Sequence, residues 1–275
     1  MNIFLRNWSS FAFAALCIAS AVPSALAADE KPLRALLITG GCCHDYAKQK
    51  DVLKRGLEER ANVEVVQVHT DDSTTKARFE IYDKADWAKG FDVVIHDECS
   101  ADVKEMAYVQ NILKAHQEGV AAVNLHCAMH CYRTGTDDWF KFIGIQSAAH
   151  GPQEPIAIRF IDHDHPITVG LGDWTTMREE LYNNIQVFPT AHALARGKQT
   201  VKQRDGTEKD MEYVVVWAND YGKTRVFNTT LGHNTATVGD ARYLNLVTRG
   251  LLWSCGKLGA DGKPLPGYGK PGNRQ

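Results

Sequence analysis

The sequence lacks an excess of either charge. Its 31 Lys and Arg against 33 Asp and Glu leave a net charge of −2. That excludes nucleic acid as the main partner, because phosphate binding needs a clear basic excess. It also lacks a complete Gly-x-Gly-x-x-Gly fingerprint and a Gly-Lys-Ser/Thr ending. Gly40-Gly41 comes nearest, and it reads as a tight turn that lets backbone approach a ligand, so no nucleotide is expected. No internal repeat and no linker stand out. With 44% hydrophobic and 23% charged residues, general disorder and a multi-span membrane protein are excluded as well.

The N-terminus reads as a secretory signal peptide over residues 1–27. Arg6 supplies the positive start, Phe11 to Val22 the apolar run, and Ala25-Leu26-Ala27 the small-x-small cleavage site. The run is short for a bilayer span, which needs ~20 residues. The expected compartment is the periplasm or the exterior, with no membrane attachment after cleavage. Of the seven cysteines, Cys17 leaves with the leader. Cys42, Cys43, Cys99, Cys127, Cys131 and Cys255 remain, and an exported chain permits disulfides among them. Their pairing stays open.

The first half alternates strand and helix. Leu33–Thr39, Val63–Val68, Phe91–His96 and Val120–Leu125 read as buried strands. Helical spacing falls between them at Tyr46–Arg60 and Ala101–Gln117. Such alternation implies an α/β sandwich around a mostly parallel sheet with right-handed crossovers and helices on both faces. Later, Ile156–Ile161 reads as a strand and residues 211–230 as an added antiparallel hairpin turning at Asn219-Asp220. Arg242–Trp253 reads as a closing helix. One domain over 28–255 is expected, followed by a Gly/Pro-rich tail, 256–275, with little order.

In an open parallel sheet, ligands bind beyond the carboxyl ends of the strands. His44 follows the first predicted strand, the third ends at His96 with Cys99 just beyond, and His126, Cys127 and His130 follow the fourth. His126 and His130 are spaced for one helical face, which suits a metal. A zincin would need Glu where Cys127 stands, so a metalloprotease is disfavoured. Cys127 could instead act as a nucleophile paired with His44, His126 or His130, and a disulfide competes with that role. His163 and His165 lie in an Asp/His-rich turn. His69, His116 and His192 read as structural or surface residues.

Taken together, the motifs resemble the ThuA-like (trehalose utilisation) family. The matching pieces are Thr39 to His44, strand four running into His126, His150-Gly151, Asp164-His165-Pro166-Ile167 and Glu180-Leu181-Tyr182. They continue through Val216-Trp217, Tyr221-Gly222-Lys223, Arg225-Val226-Phe227, Leu231-Gly232-His233 and Gly250-Leu251-Leu252-Trp253. The resemblance implies a flavodoxin-like sheet similar to that of class I glutamine amidotransferases. It places His126 where those enzymes carry their cysteine nucleophile, so glutamine hydrolysis is not expected. It further implies a sugar-acting protein, often linked to keto-glycosides, with a divalent metal on His44, His126, Glu180 and His233. Zn²⁺ is the first expectation for such a donor set. His126, Glu180 and nearby His165 are the expected catalytic groups. His130, Trp139, Tyr182 and Asn234 are the expected sugar contacts. The expected chemistry is hydrolysis, isomerisation or elimination of a keto-glycoside or related disaccharide. Two alternatives stand beside it: a non-catalytic carbohydrate-binding protein on the same fold, and a thiol-dependent hydrolase using Cys127. A homo-oligomer is compatible with either.

Overall fold

A computed structural model describes residues 30–203 and 205–270. The expected signal peptide lies outside the described residues. The sheet begins with β1 (Leu33–Gly41), β2 (Val63–Thr70), β3 (Val93–Cys99) and β4 (Ala121–Leu125). β5 (Ile145–Gln146) and β8 (Gln186–Val187) form a separate two-stranded ribbon. The rest of the main sheet is β6 (His150–Phe160), β7 (Trp174–Tyr182), β9 (Ala191–Lys202), β10 (Glu208–Tyr221) and β11 (Thr224–Thr229). Its spatial order is β2-β1-β3-β4-β11-β10-β9-β6-β7. The first five are parallel to one another. Their order repeats the 2-1-3-4-5 pattern of flavodoxin-like sheets. The remaining four continue the sheet antiparallel.

Burial on both faces explains the continuous apolar runs of the parallel strands. In β1, Leu33, Ala35 and Leu37 join one core with Leu53 and Leu57 of α1 (Tyr46–Glu58). Val238 of α4 (Thr235–Val238) and Leu246, Val247 and Leu251 of α5 (Ala241–Ser254) complete that layer. Leu36 and Ile38 face the opposite way. They pack with Val109 and Ile112 of α2 (Met106–Gln117) and with Trp139 and Phe142 of α3 (Asp138–Ile143). The expected hairpin at 211–230 is the β10–β11 pair. β7 and β9, which the apolar pattern did not announce, extend the antiparallel half well beyond that hairpin.

The tail expected to lack order is held as far as residue 270. Asn62 N donates to Tyr268 O, and Leu265 N to Lys257 O. Lys257 Nζ lies over the Tyr268 ring at 4.5 Å. These contacts fix a segment whose glycines and prolines supply turns rather than disorder.

At the carboxyl edge, β1 pairs with β3 through Gly41 opposite Cys99. Gly41 has φ +98°, and a Cβ there would collide with the Cys99 carbonyl. Only glycine combines that backbone with so close an approach. The turn that follows carries Cys42, Cys43 and His44 across the mouth of β3.

Candidate functional site

His126 sits at the sharp turn between β4 and a short 3₁₀ segment, His126–His130. Its φ is +44°, a left-handed conformation that a non-glycine residue holds only when its surroundings over-determine it. The turn therefore centres on His126, not on Cys127. The ring is almost wholly buried, and Nδ1 lies 2.7 Å from Thr230 O at the end of β11. A carbonyl only accepts, so Nδ1 carries the proton and Nε2 presents a lone pair. His44 repeats the pattern: Nδ1 lies 3.2 Å from Cys42 O. The two Nε2 atoms face each other at 2.9 Å. Two converging lone pairs need a cation or a proton between them. Tyr182 contributes a hydroxyl 3.2 Å from His126 Nε2.

Glu180 and His233 complete the cluster. Glu180 Oε2 is 3.5 Å from His126 Nε2, and Glu180 Oε1 is 3.3 Å from His233 Nδ1. That Nδ1 is buried and makes no aligned hydrogen bond. One donor atom from each of His44, His126, Glu180 and His233 falls within 4.8 Å of the others. Gly232 (φ +128°) allows the His233 loop to close on His126, since a Cβ there would press on Tyr243 and His126. Three imidazoles and one carboxylate fit a first-row divalent ion such as Zn²⁺. The orphaned His233 nitrogen and the opposed His44 and His126 lone pairs are what the chain offers toward it.

The electrostatics favour neutral His44 and His233 beside an ionised Glu180, whose carboxylate calls for one positive charge, a proton or a cation, within the cluster. Burial, with His126 and His233 close by, lowers His44 to about 2. Burial also lowers His233. For Glu180, burial pushes upward, but the contact with His126 and the nearby His233 and His150 prevail and hold it at about 2.

The cluster lies in a cavity of about 350 Å³ whose wall includes Cys42, Cys99, Cys127, Arg133, His150 and Gln153. Cys43, His44 and His233 also border a second, shallower hollow with Asn234 and Thr235. His150 and Gln153 were not singled out as site residues. His150 Nε2 is 3.7 Å from Glu180 Oε2, and Gln153 Nε2 donates to Glu180 Oε1 at 3.2 Å. Both stand on β6, whose register sets His150 opposite Tyr182 and Gln153 opposite Glu180. They are three residues apart, and only the register shift between them brings both opposite the Tyr182 and Glu180 face, so strict period-two reading would not have paired them. Glu179 was missed too. It is fully buried and accepts from His233 N at 3.2 Å and Asn234 N at 3.3 Å, which positions the His233 loop.

Several expected residues lie elsewhere or are otherwise engaged. Trp139 is fully buried in the α3 layer, with Nε1 donating to Ala128 O, so its faces cannot reach a sugar. His165 packs against His192 and Trp253, and its Nδ1 accepts from Ile167 N. It serves the turn rather than the cavity. Tyr182 and His130 line the cavity but stack on each other at 4.1 Å, so only the edges of those rings are available. Asn234 caps α4 by accepting from Ala236 N. His96, expected at the strand mouth, turns into the core with Glu98 beside it. There Glu98 Oε1 accepts from Tyr82 and Tyr132, and His96 meets His116. Cys127 is bonded to Cys99 and Cys42 to Cys43, so the thiol proposed as a nucleophile is tied up in this state.

Burial lowers His116 and His130 to about 3 and His44 to about 2. Unfolded, each ring would take a proton near pH 6.5. Between those values the unfolded chain binds more protons, so stability falls as the pH drops. Glu180, held at about 2, stabilises above its ordinary value of ~4.3. That contribution is lost on further acidification. The metal-free protein should therefore unfold at progressively lower urea from pH 6.5 to pH 3, by up to ~1.4 kcal/mol per pH unit for each buried ring. A midpoint unchanged between pH 7 and pH 4 would contradict the neutral buried rings.

A chain with this sheet and a polar cluster at its carboxyl edge is an α/β protein of flavodoxin-like architecture with its site where that architecture places one. The chain belongs to the ThuA family (trehalose utilisation), whose model matches residues 34–254. No curated protein matches it. Among solved structures it is similar to a putative ThuA-like protein from Parabacteroides merdae, with 22% identity and a TM-score of 0.65. That match covers 87% of this chain and 97% of the other. It is also similar to a putative ThuA-like protein from Bacteroides uniformis, with 16% identity and a TM-score of 0.60, covering 85% and 95%. At these identities the likeness shows the fold.

Proposed function

We propose that the protein is an exported, sugar-acting enzyme that binds a divalent metal through His44, His126, Glu180 and His233 and acts on keto-glycosides. The observation that carries this reading is the pair of lone-pair nitrogens, His44 Nε2 and His126 Nε2, opposed at 2.9 Å beside an ionised carboxylate. A bound metal would supply Lewis acidity to polarise the ketone of the substrate. The rest falls to the chain. Gln153 and the Glu179-anchored loop hold Glu180 and His233 in place. Tyr182 directs its hydroxyl at His126 and marks the inner wall.

His150 is the proton-moving group. Its Nδ1 lies 2.8 Å from Gly151 O, so Nε2, 3.7 Å from Glu180 Oε2, is the nitrogen that faces the cluster and can exchange a proton. Part-exposed at the cavity wall, it can take a proton from the carbon beside a ketone, or return one to a leaving oxygen. The cavity volume of about 350 Å³ lies within the range of small-molecule sites. Export rests on the N-terminal segment.

The test is turnover of a 3-keto-glycoside, followed by NMR, beside the same glycoside unoxidised. The metal-loaded protein should convert the keto form alone. A chelator-stripped sample should not, and re-addition of Zn²⁺ should restore it. Binding of the keto-glycoside without conversion would replace the enzyme reading with a carbohydrate-binding one.

A further inference from the structure

We propose that Cys42, Cys43 and Cys99, beside the His/Glu cluster, form a second metal site, opened by reduction of the two disulfides and selective for a soft cation, Cu(I). Cys42 is bonded to Cys43 and Cys99 to Cys127. The two pairs touch: Cys42 Sγ lies 3.4 Å from Cys99 Sγ. The sulfurs of Cys42, Cys43 and Cys99 all fall within 4.8 Å of one another. Three thiolates at ~2.3 Å from one ion stand about 4 Å apart, so small side-chain rotations convert the bonded arrangement into a three-sulfur donor set. The backbone beneath is already fixed by the Gly41–Cys99 register of β1 and β3. Thiolate donors favour Cu(I) over hard cations, whereas the neighbouring imidazole–carboxylate set favours a divalent ion. The His44 ring nitrogen lies within 4.8 Å of the Cys99 and Cys127 sulfurs, so the two donor sets adjoin.

Exposure sets the order of opening. Cys43 is exposed, while Cys42, Cys99 and Cys127 are buried. A dithiol donor attacks Cys43 Sγ, which breaks the Cys42–Cys43 bond and releases Cys42. The donor's second thiol then closes on the mixed disulfide. The donor leaves as a cyclic disulfide, and Cys43 becomes a free thiol. Cys42 next attacks Cys99 Sγ, forming Cys42–Cys99 and releasing Cys127. A second dithiol cleaves Cys42–Cys99 in the same way. Two donors are thus oxidised and four protein thiols formed, and thiols that bind the cation release their protons.

The test compares oxidised protein with protein reduced by dithiothreitol and freed of reductant by anaerobic gel filtration. Each is titrated with Cu(I) against a chromophoric Cu(I) chelator. The reduced protein should show four additional thiols and take one Cu(I) more than the oxidised protein. Reduced Cys43→Ser and Cys99→Ser should lose that equivalent. Reduced His126→Ala should keep it, which separates this site from the His/Glu centre. Equal uptake before and after reduction, or full uptake by both serine variants, would overturn the proposal. So would failure of the disulfides to open, or loss of the near-ultraviolet circular dichroism on reduction, since the sulfurs would then be structural staples.

Discussion

Replacing His126 with alanine should abolish retention of a divalent metal through gel filtration and, with it, turnover. His126 Nε2 faces His44 Nε2 at 2.9 Å, the Tyr182 hydroxyl at 3.2 Å and Glu180 Oε2 at 3.5 Å. Loss of an outer partner costs roughly 10–100-fold in metal affinity, and loss of this ligand should exceed that. Alanine also places a poorly tolerated side chain at φ +44°, so His126→Asn supplies the control. Asparagine accepts the left-handed backbone, and it should lose the metal as alanine does. Isothermal titration with Zn²⁺ reads both variants. Cys127→Ser should bind within a few-fold of the parent. Loss of activity in Cys127→Ser, with activity surviving metal removal, would transfer the chemistry to the thiol.

The second large effect belongs to Glu179. It contributes no donor atom to the cluster, yet its buried carboxylate takes the backbone N–H groups of His233 and Asn234. Removing it in Glu179→Ala orphans two amides, each costing about 1–3 kcal/mol when left buried. At about 2–4 °C per kcal/mol for a chain of this size, Tm should fall by on the order of 10 °C. A purely structural role would end there. A positioning role adds a weakened metal affinity, partly restored in Glu179→Gln, which keeps an acceptor oxygen. Unchanged affinity in Glu179→Ala, measured well below its Tm, would show that the His233 loop holds itself in place.

What the sequence disclosed follows from which forces leave a local trace. The parallel strands were legible because burial on both faces makes a near-continuous apolar run, as in Leu33–Thr39. His44, His126 and His233 were legible because each follows directly on a strand. The antiparallel half was harder. β6 and β7 mix exposed and buried positions and carry irregular register, so 150–155 did not read as strand and His150 and Gln153 went unnoticed. Glu179 left no trace because its partners are backbone amides more than fifty residues away. Trp139 misled in the opposite direction. An aromatic suited to a sugar face is equally suited to a core, and only the packing of α3 against β10, β11 and His96 of β3 decides between them. His96 failed for a related reason: β3 runs on through Cys99, so His96 is an interior strand position that points into the core instead of out of the strand mouth.

The most direct measurement of the central claim is X-ray absorption at the metal edge of the oxidised, Zn²⁺-loaded protein, with zinc content determined on the same sample. One equivalent of zinc is expected. Its nearest shell should consist of nitrogen and oxygen only, with the outer-shell scattering of three imidazoles from His44, His126 and His233 and a carboxylate oxygen from Glu180. Sulfur in that shell, or a spectrum unchanged in His126→Ala, would place the metal elsewhere and contradict the account.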